Sequence, residues 1–133
     1  MSAVRLIRSQ NLTEAVDYAY AATVQEPARV VWTAGACPLD EDGRTVAVGD
    51  YAGQAEQVMR NLRTALNDAG ADLADVVKTT VYVASARQED LVAAWKVVRA
   101  HMGGHDAPST LLGVAVLGYD DQLVEVEAVA VTG

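Results

Sequence analysis

Apolar residues recur along two stretches of the chain at the spacing of an α-helix. Ala55, Val58, Met59, Leu62, Ala65, Leu66 and Ala69 follow i, i+3, i+4 and i+7 steps, with Glu56, Gln57, Arg60, Arg63 and Asn67 on the opposite side. This predicts a helix from about Tyr51 to Ala69, with Asp50 as its N-cap and Gly70 as its stop. A second stripe, Leu91, Ala94, Trp95, Val98 and Met102, predicts a helix from about Ala86 to Met102. Ser85 and Gln88 stand at capping-box spacing before it, and Gly103-Gly104 ends it. Glu89 and Asp90 near its start and Arg99 and His101 near its end suit the helix dipole.

β-Branched runs between turn signals predict six strands: Val4–Arg8, Val16–Val24, Arg29–Cys37, Val76–Ala84, Ser109–Leu117 and Leu123–Val131. The alanines of the second also suit a helix. The order is β-β-β-α-β-α-β-β. Two of these strands are apolar in both parities, as Leu111, Ala115 and Leu117 against Leu112, Val114 and Val116 illustrate. Such strands are buried on both faces, yet two helices cover only one face of a sheet. The other face is expected to be sealed by a second subunit, or by closure into a half-barrel.

Composition narrows the partners. The chain has 133 residues, enough for a single domain spanning residues 1–133. Its 18 acidic and 10 basic residues give a net charge of −8, and the basic ones form no cluster. Binding nucleic acid requires clustered Lys and Arg against phosphates, so that class is disfavoured. No apolar run is long enough to span a membrane. Cys37 is the only cysteine, which excludes an intrachain disulfide and makes a cytoplasmic location the plain expectation.

Few residues stand out as chemistry. On the last strand Glu125 and Glu127 project from one face between apolar neighbours, about 7 Å apart by strand geometry. A carboxylate in that setting serves as a general acid or base; a solvated edge strand with two ordinary charges is the competing reading. Cys37, in Gly35-Ala36-Cys37-Pro38, has no base nearby in sequence and reads as a packed core thiol. His101 and His105 have i, i+4 spacing, but the Gly103-Gly104 break and the lack of other ligands argue against a metal site. No Gly-rich phosphate cradle follows a strand, and no cofactor is expected.

The segment Ala107-Pro108-Ser109-Thr110-Leu111-Leu112-Gly113-Val114, followed by Leu123-Val124-Glu125-Val126-Glu127-Ala128-Val129-Ala130, resembles the signature of the RidA/YjgF family. Thr33-Ala34-Gly35 running to Pro38, the Gln57–Gly70 helix and Val76–Val83 agree in the same order. The resemblance implies an α+β, chorismate-mutase-like fold, a six-stranded sheet with two helices packed on one face. It also implies a homotrimer with a cleft at each subunit interface. In deaminating members a glutamate of the last strand positions water against a C=N carbon, and an arginine grips the substrate carboxylate. Glu125 matches that catalytic glutamate. Tyr18, with Tyr20 as a rival, matches the tyrosine closing the cleft; Gly35 matches its floor, and Ser109 and Thr110 its wall. The arginine's place is held by Pro108, which has neither charge nor N–H. Another cation, such as Arg29, Arg44 or His105, would have to reach in from a neighbouring subunit. Val92 stands where the family often has asparagine. The implied activity is hydrolysis of a reactive enamine or imine to a carbonyl product and ammonia, on an atypical small-molecule substrate. The alternative is a trimer that binds or senses a metabolite without chemistry.

Overall fold

The computed structural model describes residues 4–24 and 29–132. Its elements in chain order are β1 (Val4–Ile7), β2 (Ala21–Val24), β3 (Arg29–Trp32), α1 (Tyr51–Asp68), β4 (Val76–Val83), α2 (Gln88–Met102), β5 (Ser109–Gly113) and β6 (Val124–Thr132). A 3-10 turn, Leu73–Asp75, leads into β4.

The apolar stripes of the two helices meet one face of a sheet. Val58, Met59, Leu62 and Leu66 of α1 and Ala94, Val98 and Met102 of α2 share a core with Val81 and Val83 of β4 and Val124, Val126, Ala128 and Ala130 of β6. Burying these side chains supplies the main driving force for the fold. α1 is capped as its sequence predicts: the Asp50 side chain accepts from Gly53 N, and Gly70 takes a φ of +85° just past the end. The capping box expected before α2 does not form. Arg87 holds the N-cap position without a side-chain capping bond, while Ser85 Oγ accepts from Arg87 N and donates to Asp90.

The chain is α+β, with six strands among the described residues, but these form two sheets and not the single six-stranded one expected. Four strands run in the order β3-β6-β4-β5. β4 and β5 are parallel, joined by α2 as the crossover such a pair requires. β6 is antiparallel to both β3 and β4. β1 and β2 make a separate antiparallel hairpin. Polar bonds draw it toward the loop after α2: Ala19 N donates to Asp106 O, and Arg8 pairs with the Asp106 carboxylate. The same pull shortens β2. Residues 16–19 leave the ladder because Asp17 serves α2, accepting from Trp95 Nε1 at 3.0 Å and, through its carbonyl, from Arg99 Nε at 2.7 Å.

β3 and β5 are also shorter than expected. After Trp32 the regular ladder stops: Thr33 still bonds to Ala128, donating from its N and accepting at Oγ1, and the chain meets β6 again at the bridge Ala36↔Val126. β5 ends at Gly113, and the chain then turns back to β6. In β4 one extra residue, Val77, is bulged between Val76 and Lys78. Beyond it Thr79, Val81 and Val83 face the helices, whereas Lys78, Thr80 and Tyr82 point the other way. On that second face Trp32 is 73% exposed, with Val30 and Leu112 also exposed, so the helices do leave it bare.

Candidate active site

Glu125 sits on β6 on the face away from the helices, directly across from Tyr82 of β4. Its two carboxylate oxygens have different surroundings. Oε1 accepts from Gln122 Nε2 at 3.1 Å and from Cys37 Sγ at 3.3 Å. Oε2 lies over Gly35, where a Cβ would fall 2.2 Å from it, and no protein donor among the described residues is bonded to it. The Ala36↔Val126 bridge explains this meeting, because it sets Gly35 and Cys37 beside Glu125. One oxygen is thus held by two donors, and the other by none among the described residues. Burial, followed by the hydrogen bond to Glu125 and its charge, pushes the Cys37 thiol up to about 11. It is a proton donor at neutral pH and no nucleophile. Glu127, two residues on, accepts from the Tyr82 hydroxyl, and this bond, with burial and the two glutamate charges, raises the tyrosine's pKa.

A second group lies at the outer edge of β5. Tyr18, Trp95, Ser109, Thr110 and Leu111 line a cavity of about 420 Å³. Tyr18 packs edge-on against Trp95, with ring centroids 6.5 Å apart, and Asp17 fixes the indole from behind. Ser109 Oγ is committed to Thr79 Oγ1 and Ala107 O. Tyr18, Ser109 and Thr110 therefore lie together in one chain, while Glu125 and Gly35 do not line this cavity. Within one chain the site residues form two clusters, with β4 between β5 and β6.

Residues 10–132 match the family model described as endoribonuclease L-PSP. The crystal structure of YyfB, a Rid family protein from Yersinia pestis, is similar at a TM-score of 0.87 and 28% identity, over 97% of this chain and 98% of that one. The chain belongs to the RidA/YjgF family. The E. coli YjgF structure is also similar, with a TM-score of 0.67 and 29% identity over 96% of this chain and 98% of its own. Among curated relatives, the mouse 2-iminobutanoate/2-iminopropanoate deaminase is 30% identical over 99% of this chain and 95% of its own length. A RutC family protein from Pyrococcus abyssi is 32% identical over 75% of this chain and 76% of its own.

For a RidA family chain, the remaining candidates have informative positions. Pro108 is buried and lines no part of the cavity; its carbonyl accepts from Thr79 N. Val92 is exposed on α2, and Trp95, one turn later, takes the cavity wall. Tyr20 donates to Thr13 O and packs against Tyr18 without entering the wall. Of the cations, Arg29 lies against Gly70, His105 bonds to Val76 O, and Arg44 is exposed in a turn. His101 pairs with Glu56 across the two helices, so the histidines are separately engaged. Among the described residues no cluster of three or more His, Cys, Asp or Glu is placed to hold a metal, and no helix is long and apolar enough to cross a membrane. Sequence reasoning missed Cys37 and Gln122 as partners of Glu125. The alternation Gly35-x-Cys37 was the available signal, but it speaks only once strand pairing is known.

Proposed function

We propose that this RidA family chain hydrolyses a reactive enamine or imine to a carbonyl compound and ammonia, with Glu125 as the catalytic residue. The observation that carries this reading is the divided carboxylate of Glu125, one oxygen held and the other bare above Gly35. Such an oxygen can take a proton from water as the water oxygen adds to the C=N carbon. Glu125 passes that proton to the imine nitrogen, giving the carbinolamine. It then takes the carbinolamine hydroxyl proton and delivers it to the amino group, so that the C–N bond breaks, ammonia leaves, the carbonyl forms and the carboxylate is regenerated. The deaminase names of the mammalian relatives support the same class of reaction.

Copies of the chain are proposed to form a homotrimer around the bare sheet face, in a reducing cytoplasm that suits a free Cys37 thiol. The interface would then bring the Glu125 cluster of one protomer to the Tyr18, Ser109 and Thr110 cluster of the next. The test is ammonia release from freshly generated 2-aminoacrylate and from a neutral imine. Wild type should accelerate at least one, and Glu125→Gln should lower the rate by about 100-fold. No turnover above buffer for any imine, with the assembly intact, would sink the reading.

The cavity behind Tyr18 favours a second reading, binding of a metabolite without chemistry, since Glu125 is not among its lining residues. Ligand-induced melting shifts with no reaction would select it. The −8 charge gives the nuclease activity named in the family description no support.

A further inference from the structure

Both donors that hold Glu125 are themselves tied to α1 by amide side chains. The first tie runs through the turn before β6. The buried Gln54 amide of α1 bonds Asp121 O and Leu123 N, on either side of Gln122. Gln122 is buried as well, and both ends of its amide are engaged. Its Oε1 accepts from Tyr119 N at 3.1 Å, while its Nε2 donates to Val124 O at 3.2 Å and to Glu125 Oε1 at 3.1 Å.

The second tie runs through the loop after β3. Asn61, about two turns along α1 from Gln54, donates to Cys37 O at 2.8 Å and to Leu39 O at 2.9 Å. Gln57 Nε2 donates to the Asn61 carbonyl and fixes its direction. Cys37 is thereby set with Sγ 3.3 Å from Glu125 Oε1. Its thiol has one proton and two acceptors in reach, the carboxylate and Gly35 O at 3.4 Å. A bond to an ionised oxygen is the stronger of the two, so the carboxylate takes the proton. Burial, with the bond to Glu125 and its charge, pushes the thiol up to about 11, so it still carries that proton at neutral pH.

Both ties end on the same oxygen. A carboxylate free to rotate exchanges its two oxygens, but with Oε1 held twice Oε2 stays over Gly35. Fixing a reacting group in advance removes the cost of aligning it during the reaction. We propose that Gln122 and Cys37 are positioning residues for Glu125, two arms anchored on α1 by Gln54 and Asn61 that keep Oε2 as its reacting oxygen. The assignment rests on the hydrolysis reading above and acts on the chemical step, not on substrate binding.

The experiment is steady-state hydrolysis of the imine that wild type turns over, by three single variants. Gln122→Met keeps the length of the side chain and loses its donor; kcat should fall about tenfold, with KM within about twofold of wild type. Cys37→Ala should lower kcat about fivefold, because S–H is a weaker donor than N–H. Cys37→Ser differs from it only by a hydroxyl donor and should restore most of the loss, whereas a role in packing alone would leave Ser and Ala alike. A kcat within about twofold of wild type in Gln122→Met or Cys37→Ala, losses carried by KM, or Ser no better than Ala would overturn the assignment. Should Gln122→Met not fold, the Cys37 pair decides.

Infrared absorption of the S–H stretch reads the contact without turnover, and one cysteine gives one band. The band should lie at the low frequency of a thiol bonded to a charged acceptor, and Glu125→Gln should raise it. A band that Glu125→Gln leaves unmoved overturns the assignment whether or not imines are hydrolysed. If wild type hydrolyses no imine and the band still moves, the hydrolysis reading falls and the held carboxylate stands. If hydrolysis depends on Glu125 but not on the two donors, the positioning role falls alone.

Discussion

A methyl group on residue 35 and the Glu125 carboxylate compete for the same space, because an ideal Cβ there falls 2.2 Å from Oε2. Cδ and Cγ would also fall at 2.5 and 2.7 Å, so the whole side chain must swing away from Gln122 and Cys37, and Gly35→Ala should cost about 1–3 kcal/mol in denaturant titration. The displaced carboxylate should also lower imine turnover by about 100-fold. Cys37 offers a second check. Its folded-state pKa, about 11, lies above the ordinary 9.0, so the folded chain keeps a proton that the unfolded chain releases between those values. Stability should fall as pH rises through that window and be unaffected by this group below it. Thiolate absorbance should titrate near 11 in wild type and at a lower pH in Glu125→Gln, while staying above 9.0 because burial persists. An unchanged midpoint would mean that the two side chains do not touch. At this scale the sequence named Glu125 and Gly35 through the family resemblance but not their contact. Cys37 looked like an inert core thiol because its partner lies 88 residues away in the chain.

Among the elements, α1 was the most legible: its predicted span, Tyr51 to Ala69, overshoots the helix by one residue. Its stripe, cap and stop all agree, a consistency that long amphipathic helices offer and short strands do not. Gln54 was not foreseen. Fully buried in the first turn of α1, its amide accepts from Leu123 N at 2.7 Å and donates to Asp121 O at 2.9 Å. It thereby fixes the chain just before β6. Gln54→Leu keeps the size but strands those backbone groups, and should destabilise by about 2 kcal/mol in chemical denaturation. A loss under about 0.5 kcal/mol would show that the amide is replaceable by water. β2 and β5 were the least legible. Their apolar runs continue past the ladders, and what ends them is tertiary: Asp17 turning to α2, and the chain after Gly113 leaving the sheet.

For the whole molecule, element order and the bare second face could be read from the pattern, and the fold class from the family resemblance. The division of six strands into two sheets could not, since it depends on Arg8 and Ala19 reaching Asp106. Trp32 stands on the bare face next to Val129, with its side chain largely in solvent. In the trimer proposed above it would be covered, and Trp32→Glu should shift sedimentation toward single chains with loss of imine turnover. An unchanged assembly would place the contact elsewhere. The cavity, finally, is built from materials of unequal strength. Its Tyr18 wall is fastened by exposed polar bonds from Asp17 to Trp95 and Arg99, whereas Ser109 and Leu111 pair with strand β4, which runs through the valine layer. Warming should therefore loosen the aromatic side while the hydroxyl side keeps its shape. An occupant that grips both sides would act as a rivet, lending the outer segment a rigidity that its own fastenings lack.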